Sequence, residues 1–233
     1  MANKFLFIIC FSSFIFSQLL ENRDNSTIEL RNIVENASRL QQRVWVEDFT
    51  GLNWTYCPSV SYALDSLLKE FPNILTSVEW HYPGVSPSSD NFCNVGAGCD
   101  HQHEEGYVHA YRAYLYSIGG TTPTLVWNGI SIATGGWECS NWVDMYGDEI
   151  RPAFDEFSLG RTPYDIEISG LYNSGDPIVF YDIEVSLDDS SLSENLTLEV
   201  IVVEDSILSY WSGCGEYHNA RNVSRNYLTL HEE

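Results

Sequence analysis

Apolar positions along this chain change their period in a fixed order. A continuous apolar run, Phe5 to Phe16, comes first. Helical spacing follows over 26–42, with Leu30, Ile33, Val34, Ala37 and Leu40 on one stripe. "RVWVEDF" (43–49) is a short β-rich run ending in acids. "CPSVSYALDSLLKEF" (57–71) returns to helical spacing, with Val60, Ala63, Leu64, Leu67 and Leu68 on one face and Pro58 in the first turn, where proline is tolerated. "ILTSVEWHY" (74–82) predicts a strand and 83–98 a loop. The stretch 104–120 predicts a helix that Gly119-Gly120 stops. "TTPTLVWNGISIATGG" predicts two strands joined at Asn128-Gly129. "SNWVDMYGDEIRPAFDEF" is a last helical pattern, made irregular by Gly147 and Pro152. Beyond Gly160 the period is two, in "YDIEIS", "IVFYDIEVSL", "NLTLEVIVVED" and "RNYLTLH".

The first β-α-β has the length of a crossover unit. The whole order over 43–160 is β-α-β-α-β-β-α, with a proline ahead of the third strand. This predicts a thioredoxin-like α/β domain, a four-stranded mixed sheet with helices on both faces. Residues 161–233 predict a small antiparallel, sandwich-like β domain. Its four strands are fewer than the roughly seven of a closed sandwich.

Charge narrows the function. The chain carries 33 acids against 11 bases, a formal net charge of −22, and residues 161–233 hold 14 of those acids with 3 bases. Such a surface repels phosphate backbones and anionic headgroups, so no nucleic-acid or DNA partner is expected. Residues 1–17 predict an export signal: the apolar run is short for a bilayer span and Lys4 precedes it. An uncleaved anchor is the alternative and would be the chain's one membrane contact. A lipoprotein reading through Cys10 is disfavoured by Ile9. Residues 18–42 read as a lead-in helix. Export to a secreted or cell-envelope location makes the remaining cysteines, Cys57, Cys93, Cys99, Cys139 and Cys214, candidates for disulfides. Sequons occur at Asn25, Asn36, Asn53, Asn195 and Asn222.

The turn before the 57–71 helix carries the candidate chemistry. In a CxxC oxidoreductase the first cysteine stands at a helix N-terminus, where the dipole favours its thiolate, and the second resolves the mixed disulfide. Here the order is Trp54-Thr55-Tyr56-Cys57-Pro58. Cys57 takes the second seat and Trp54 the first, so a dithiol cycle within the turn is excluded. "VWVEDFTG…YCP", "VEWHYP", "RAYLY…GGTTPTLVWNG", "LEVIVVED" and "HNARNV" resemble a family of exported thioredoxin-like proteins named after a twenty-eight-kilodalton outer membrane protein. The resemblance runs from about residue 43 to the C-terminus. It implies a thioredoxin-fold domain followed by an immunoglobulin-like domain over 161–233. Members commonly carry both cysteines, and this chain departs from them at Trp54. Within such a groove, Asp48 matches a buried acid that assists proton transfer, and Pro123 with Thr122 matches a cis-proline facing the turn. A hydrogen-bonded strand-end acid and an ordinary trans proline are the bland alternatives.

Other clusters are weaker. His101, His103 and His109, with Glu104 and Glu105, are potential metal ligands, yet their spacing fits no standard zinc pattern and the stretch reads more simply as a helix start. Cys93 and Cys99 flank a flexible spacer that a local disulfide would pin. Cys139–Cys214 would then staple the two domains and leave Cys57 free; pairing of Cys57 with Cys93 or Cys99 is the alternative. The resulting expectation is a redox-silent binding or accessory module for protein or peptide partners in the envelope, needing no cofactor. Its groove would be formed by Trp54, Thr55, Tyr56, Pro58, Thr122 and Pro123. A monothiol oxidoreductase or isomerase using Cys57, and a metal-binding protein, are the alternatives.

Overall fold

The computed structural model describes residues 5–12, 40–81, 92, 108–118, 121–172, 179–187 and 197–229. In chain order the strands are β1 (Phe5–Ser12), β2 (Leu40–Gln41), β3 (Val44–Thr50), β4 (Leu75–His81), β5 (Thr124–Trp127), β6 (Ser131–Thr134), β7 (Arg161–Thr162), β8 (Tyr164–Tyr172), β9 (Val179–Leu187), β10 (Thr197–Glu204), β11 (Ile207–Trp211), β12 (Glu216–Ala220) and β13 (Val223–Tyr227). The helices are α1 (Cys57–Glu70), α2 (Val108–Leu115), α3 (Trp142–Met145) and α4 (Arg151–Phe157). The chain divides into two units: 1–13, 43–158 and 197–233 form one, and 14–42 with 159–196 form the other.

The first unit is built on a seven-stranded mixed sheet, in the order β1-β10-β13-β4-β3-β5-β6. β3 runs parallel to β4 and antiparallel to β5, which pairs with β6. β13 is parallel to β4, and β10 lies antiparallel between β13 and β1. The β5–β6 connection is the expected hairpin: Asn128 (φ 48°) and Gly129 (φ 69°) both take the left-handed backbone that a two-residue turn of this hand requires.

All seven residues of β3 are buried, because β3 is central and covered on both faces. Side chains alternate across a strand. Val44, Val46, Leu75 and Leu125 therefore pack with Val60, Ala63, Leu64 and Leu67 of α1. Trp45, Phe49, Val78 and Trp80 join a separate cluster with Ala113 of α2. The same alternation sends the two adjacent acids Glu47 and Asp48 to opposite faces.

The last helical stretch is irregular, as Gly147 and Pro152 predict. A 3-10 turn (Cys139–Asn141) leads into α3, and a π turn (Tyr146–Ile150) separates α3 from α4. Pro152 has no N–H to return to the preceding turn, which favours the wider π geometry there.

In the second unit β8 and β9 pair antiparallel over nine residues each, and β2 pairs with β7. None of its described side chains is buried.

The structure differs from the expected layout at three places. Residues 161–233 do not form one β unit: β8–β9 stand in the second unit, while β10 and β13 return to the mixed sheet beside β4. Val200, Ile201 and Val203 are buried there, a demand that a two-sided interior strand meets and a half-exposed sandwich strand does not. β11 and β12, which fall between the predicted strands, form an antiparallel hairpin with Ile207, Ser209 and Trp211 on alternate positions of β11. Residues 5–12, inside the expected export signal 1–17, pair in register along the whole of β10; a Phe/Ile-rich run is a good strand former, and the export expectation stands as before. Of the expected lead-in helix, only residues 40–42 are described, and Leu40–Gln41 is strand.

Candidate functional site

Cys57 opens α1. Tyr56 is the N-cap residue without a side-chain cap, and Pro58 sits in the first turn. The thiol is free but fully buried. It belongs to an apolar cluster with Leu52, Phe92, Trp211, Ala220 and Val223, flanked by Trp54. Helix N-termini favour a thiolate by about 1 kcal/mol. Burial opposes this, and so does the charge of Asp48. Together they push the Cys57 thiol from 9.0 up to about 12. The hydroxyls of Thr50 and Thr122 and the backbone at Gly51 lie close enough to offset part of the rise, although neither hydroxyl makes a hydrogen bond of good geometry. Desolvation wins, and the thiol stays protonated at pH 7.

Asp48 is buried beneath this turn, and neither of its oxygens has a hydrogen-bond partner among the described residues. Burial raises its pKa well above 3.8; Glu79 raises it further and His81 pulls it down. The register explains the company, since Asp48 lies opposite Glu79 and Thr50 opposite His81 on the parallel β3–β4 ladder. Glu79 accepts from Ser61 Oγ at 3.2 Å and from the Arg221 N–H at 3.1 Å, and stands 3.4 Å from His81 Nε2. The bland expectation of a hydrogen-bonded Asp48 does not hold.

The Thr122-Pro123 bond is cis. Pro123 is buried and Thr122 half-buried, and Gly136 brings Pro123 and the turn together. A Cβ built on Gly136 would stand 2.5 Å from the Tyr56 carbonyl oxygen and 2.8 Å from Pro123 Cγ. From the other side, a Cβ on Gly213 would stand 2.7 Å from the carbonyl oxygens of Trp54 and Thr55. Ser212, in the same β11–β12 turn, donates its backbone N–H (2.9 Å) and its hydroxyl (3.2 Å) to the Leu52 carbonyl. Of the six expected groove residues, Thr55 and Tyr56 are exposed, Trp54 is half-buried, and Pro58 is buried.

Cys139 and Cys214 form a disulfide with Cα atoms 5.5 Å apart. Both belong to the first unit, so the bond staples the α3 region to the returning hairpin rather than one domain to another. Cys93 and Cys99 lie outside the described residues, as do His101 and His103; His109 falls within α2. Among the described residues, one group has ligand-like spacing. The ligand atoms of Cys139, Cys214 and Glu216 lie within 4.8 Å of one another, but the disulfide engages both sulfurs.

A second buried polar cluster occupies the other face of the sheet. Arg112 Nε and Nη2 donate to the two oxygens of Glu47 at 2.6 and 2.8 Å, and Nη1 donates to Glu199 at 2.8 Å. Trp80 Nε1 (2.8 Å) and the Tyr116 hydroxyl (2.6 Å) also donate to Glu47. Burial would raise the Glu47 pKa, but the Arg112 guanidinium and these bonds hold it below 4.5. The sequence signal for this cluster was an acid inside an otherwise apolar β run; its partner, 65 residues away, left no local trace. Comparison with known protein families, curated proteins and solved structures found no match.

Proposed function

We propose that this chain is an exported, thioredoxin-like protein that has kept the scaffold and lost dithiol chemistry, and that it serves as a binding or accessory module of the cell envelope. The observation that carries the reading is the state of Cys57: it is the one sulfur in the turn, it is buried, and its thiol titrates at about 12. Three further features support the scaffold: the β4-β3-β5-β6 order with parallel β3–β4, the helix opening at Cys57, and the cis Thr122-Pro123 bond beside that turn. The disulfide supports an oxidising compartment. The family resemblance belongs to this proposal. A monothiol enzyme needs an accessible, acidic thiol, and Cys57 is neither.

The test is reduction of insulin by dithiothreitol, followed by turbidity, with equimolar protein. The expected rate is that of dithiothreitol alone. Catalysis at substoichiometric protein, without an added monothiol, overturns the reading.

A further inference from the structure

We propose that the Cys139–Cys214 disulfide is a redox latch that holds two backbone covers over the Cys57 turn, and that its reduction by a dithiol uncovers that turn while the sheet stays folded. The inference rests on the reading of the Cys57 turn as the functional site.

Two covers meet at the turn, and each is next to a disulfide half. Gly136, three residues before Cys139, packs on Tyr56 and Pro123; Gly213, adjacent to Cys214, packs on the Trp54 and Thr55 carbonyls. Glycine is required at both, because any side chain would collide with backbone. One covalent bond thus ties the two covers to each other across the turn. Apart from it, the Gly213 cover is held by the Ser212–Leu52 bonds, by the packing of Trp211 in the Cys57 cluster and, through β12, by the Tyr62 hydroxyl on Glu216 (2.6 Å) and the Tyr62–His218 ring contact. The Gly136 cover is held by Gly135 N–H to the Pro123 carbonyl (2.9 Å) and Trp137 N–H to Ser59 Oγ (3.1 Å), with the Trp137 ring packed on the α1 cluster. These are turn and side-chain contacts, and segments tied in this way open locally at less than the global unfolding free energy. The two apolar clusters against α1 and α2 contain neither cysteine, so the sheet does not depend on the bond.

Access is ordered in the direction a latch needs. Cys139 and Cys214 are both half-buried, whereas Cys57 is 0% exposed. A dithiol therefore reaches the disulfide first. One donor thiolate attacks a disulfide sulfur and forms a mixed disulfide, releasing the other cysteine as a thiolate that takes up a proton. The donor's second thiol then displaces the remaining cysteine and leaves as its own disulfide. Two electrons and two protons pass to Cys139 and Cys214, and one dithiol is oxidised. With the covers loosened, water reaches Cys57, and the burial that dominates its titration is relieved.

The experiment alkylates the full chain with iodoacetamide and follows Cys57 by peptide mass spectrometry. It compares the oxidised protein, the dithiothreitol-reduced protein, and the C139S/C214S variant. A G213A variant with the disulfide intact levers the cover open sterically, should the double variant fail to fold. Near-UV circular dichroism and the dependence of rate on low urea separate local opening from unfolding. The latch predicts a Cys57 rate at least about tenfold higher on reduction or in either variant, independent of urea below the transition. An unchanged Cys57 rate in folded, reduced protein overturns the latch and leaves the redox-silent reading intact. So does a rise that tracks global unfolding. Rapid alkylation of Cys57 in the oxidised protein overturns that reading itself.

Discussion

Replacing Arg112 by Met leaves two carboxylates, Glu47 and Glu199, buried without their cation. Arg112 is 1% exposed, Glu47 0% and Glu199 5%, so water cannot take its place without repacking. The guanidinium makes four hydrogen bonds, to both Glu47 oxygens, to Glu199 and to the Tyr116 hydroxyl. Summing charged hydrogen bonds singly would overstate the loss, because they share one group. Removal of one partner from a buried ion pair costs about 3–5 kcal/mol, most of it the stranded charge. That is a large part of the roughly 5–15 kcal/mol that holds a domain together. The pH dependence gives the sharper test. In the wild type Glu47 is held below 4.5, so its ionised form favours folding above the unfolded-state value, a contribution lost as pH falls through the lower folded value. Without Arg112, burial dominates and the folded value rises, so ionisation opposes folding. The stability difference in urea denaturation should therefore be largest at pH 7 and shrink steadily toward pH 4. The companion E47Q/R112M variant should recover part of the loss at pH 7. A difference under about 1 kcal/mol at pH 7, or one that does not change with pH, refutes the assignment of a charged, coupled cluster.

Asp48 predicts the opposite sign. Its folded pKa is raised, so its ionisation opposes folding, and wild-type stability from this group falls as pH rises from 3.8 through the folded value. D48N should be more stable than wild type by about 1 kcal/mol or more at pH 8, converging near pH 4, by chemical denaturation. G136A should lower stability by about 1–3 kcal/mol, since its Cβ meets the Tyr56 carbonyl oxygen and the Pro123 ring, and neither that backbone nor the closed ring can retreat freely; thermal melting checks this. Asn222 is 4% exposed and donates its amide Nδ2 to Ser77 Oγ at 3.2 Å. Folded protein secreted from a glycosylating host should carry no glycan there by glycopeptide mass spectrometry. Occupancy at Asn222 in folded material would contradict the packing of β13 against β4.

Local pattern determined much of this protein. The alternation of strand and helix over 43–157, the Asn128-Gly129 turn, the irregular helix around Gly147 and Pro152, and the single sulfur in the turn all follow from neighbours a few residues apart. The Cys139–Cys214 pair was one reading among several, and the structure joins it. What only tertiary structure decided are the long-range pairings. Glu47 and Asp48 are adjacent and chemically alike, but alternation sends one to Arg112 and leaves the other beneath Cys57 without a hydrogen-bond partner among the described residues. β10 and β13 carry the same period-two pattern as β8 and β9, and periodicity does not name the strand they will pair with. The covers at Gly136 and Gly213 are glycines whose meaning lies in what passes over them. Side-chain period is a property of the local backbone, whereas burial and pairing depend on which distant segment arrives, and no short stretch of this chain encodes that alone.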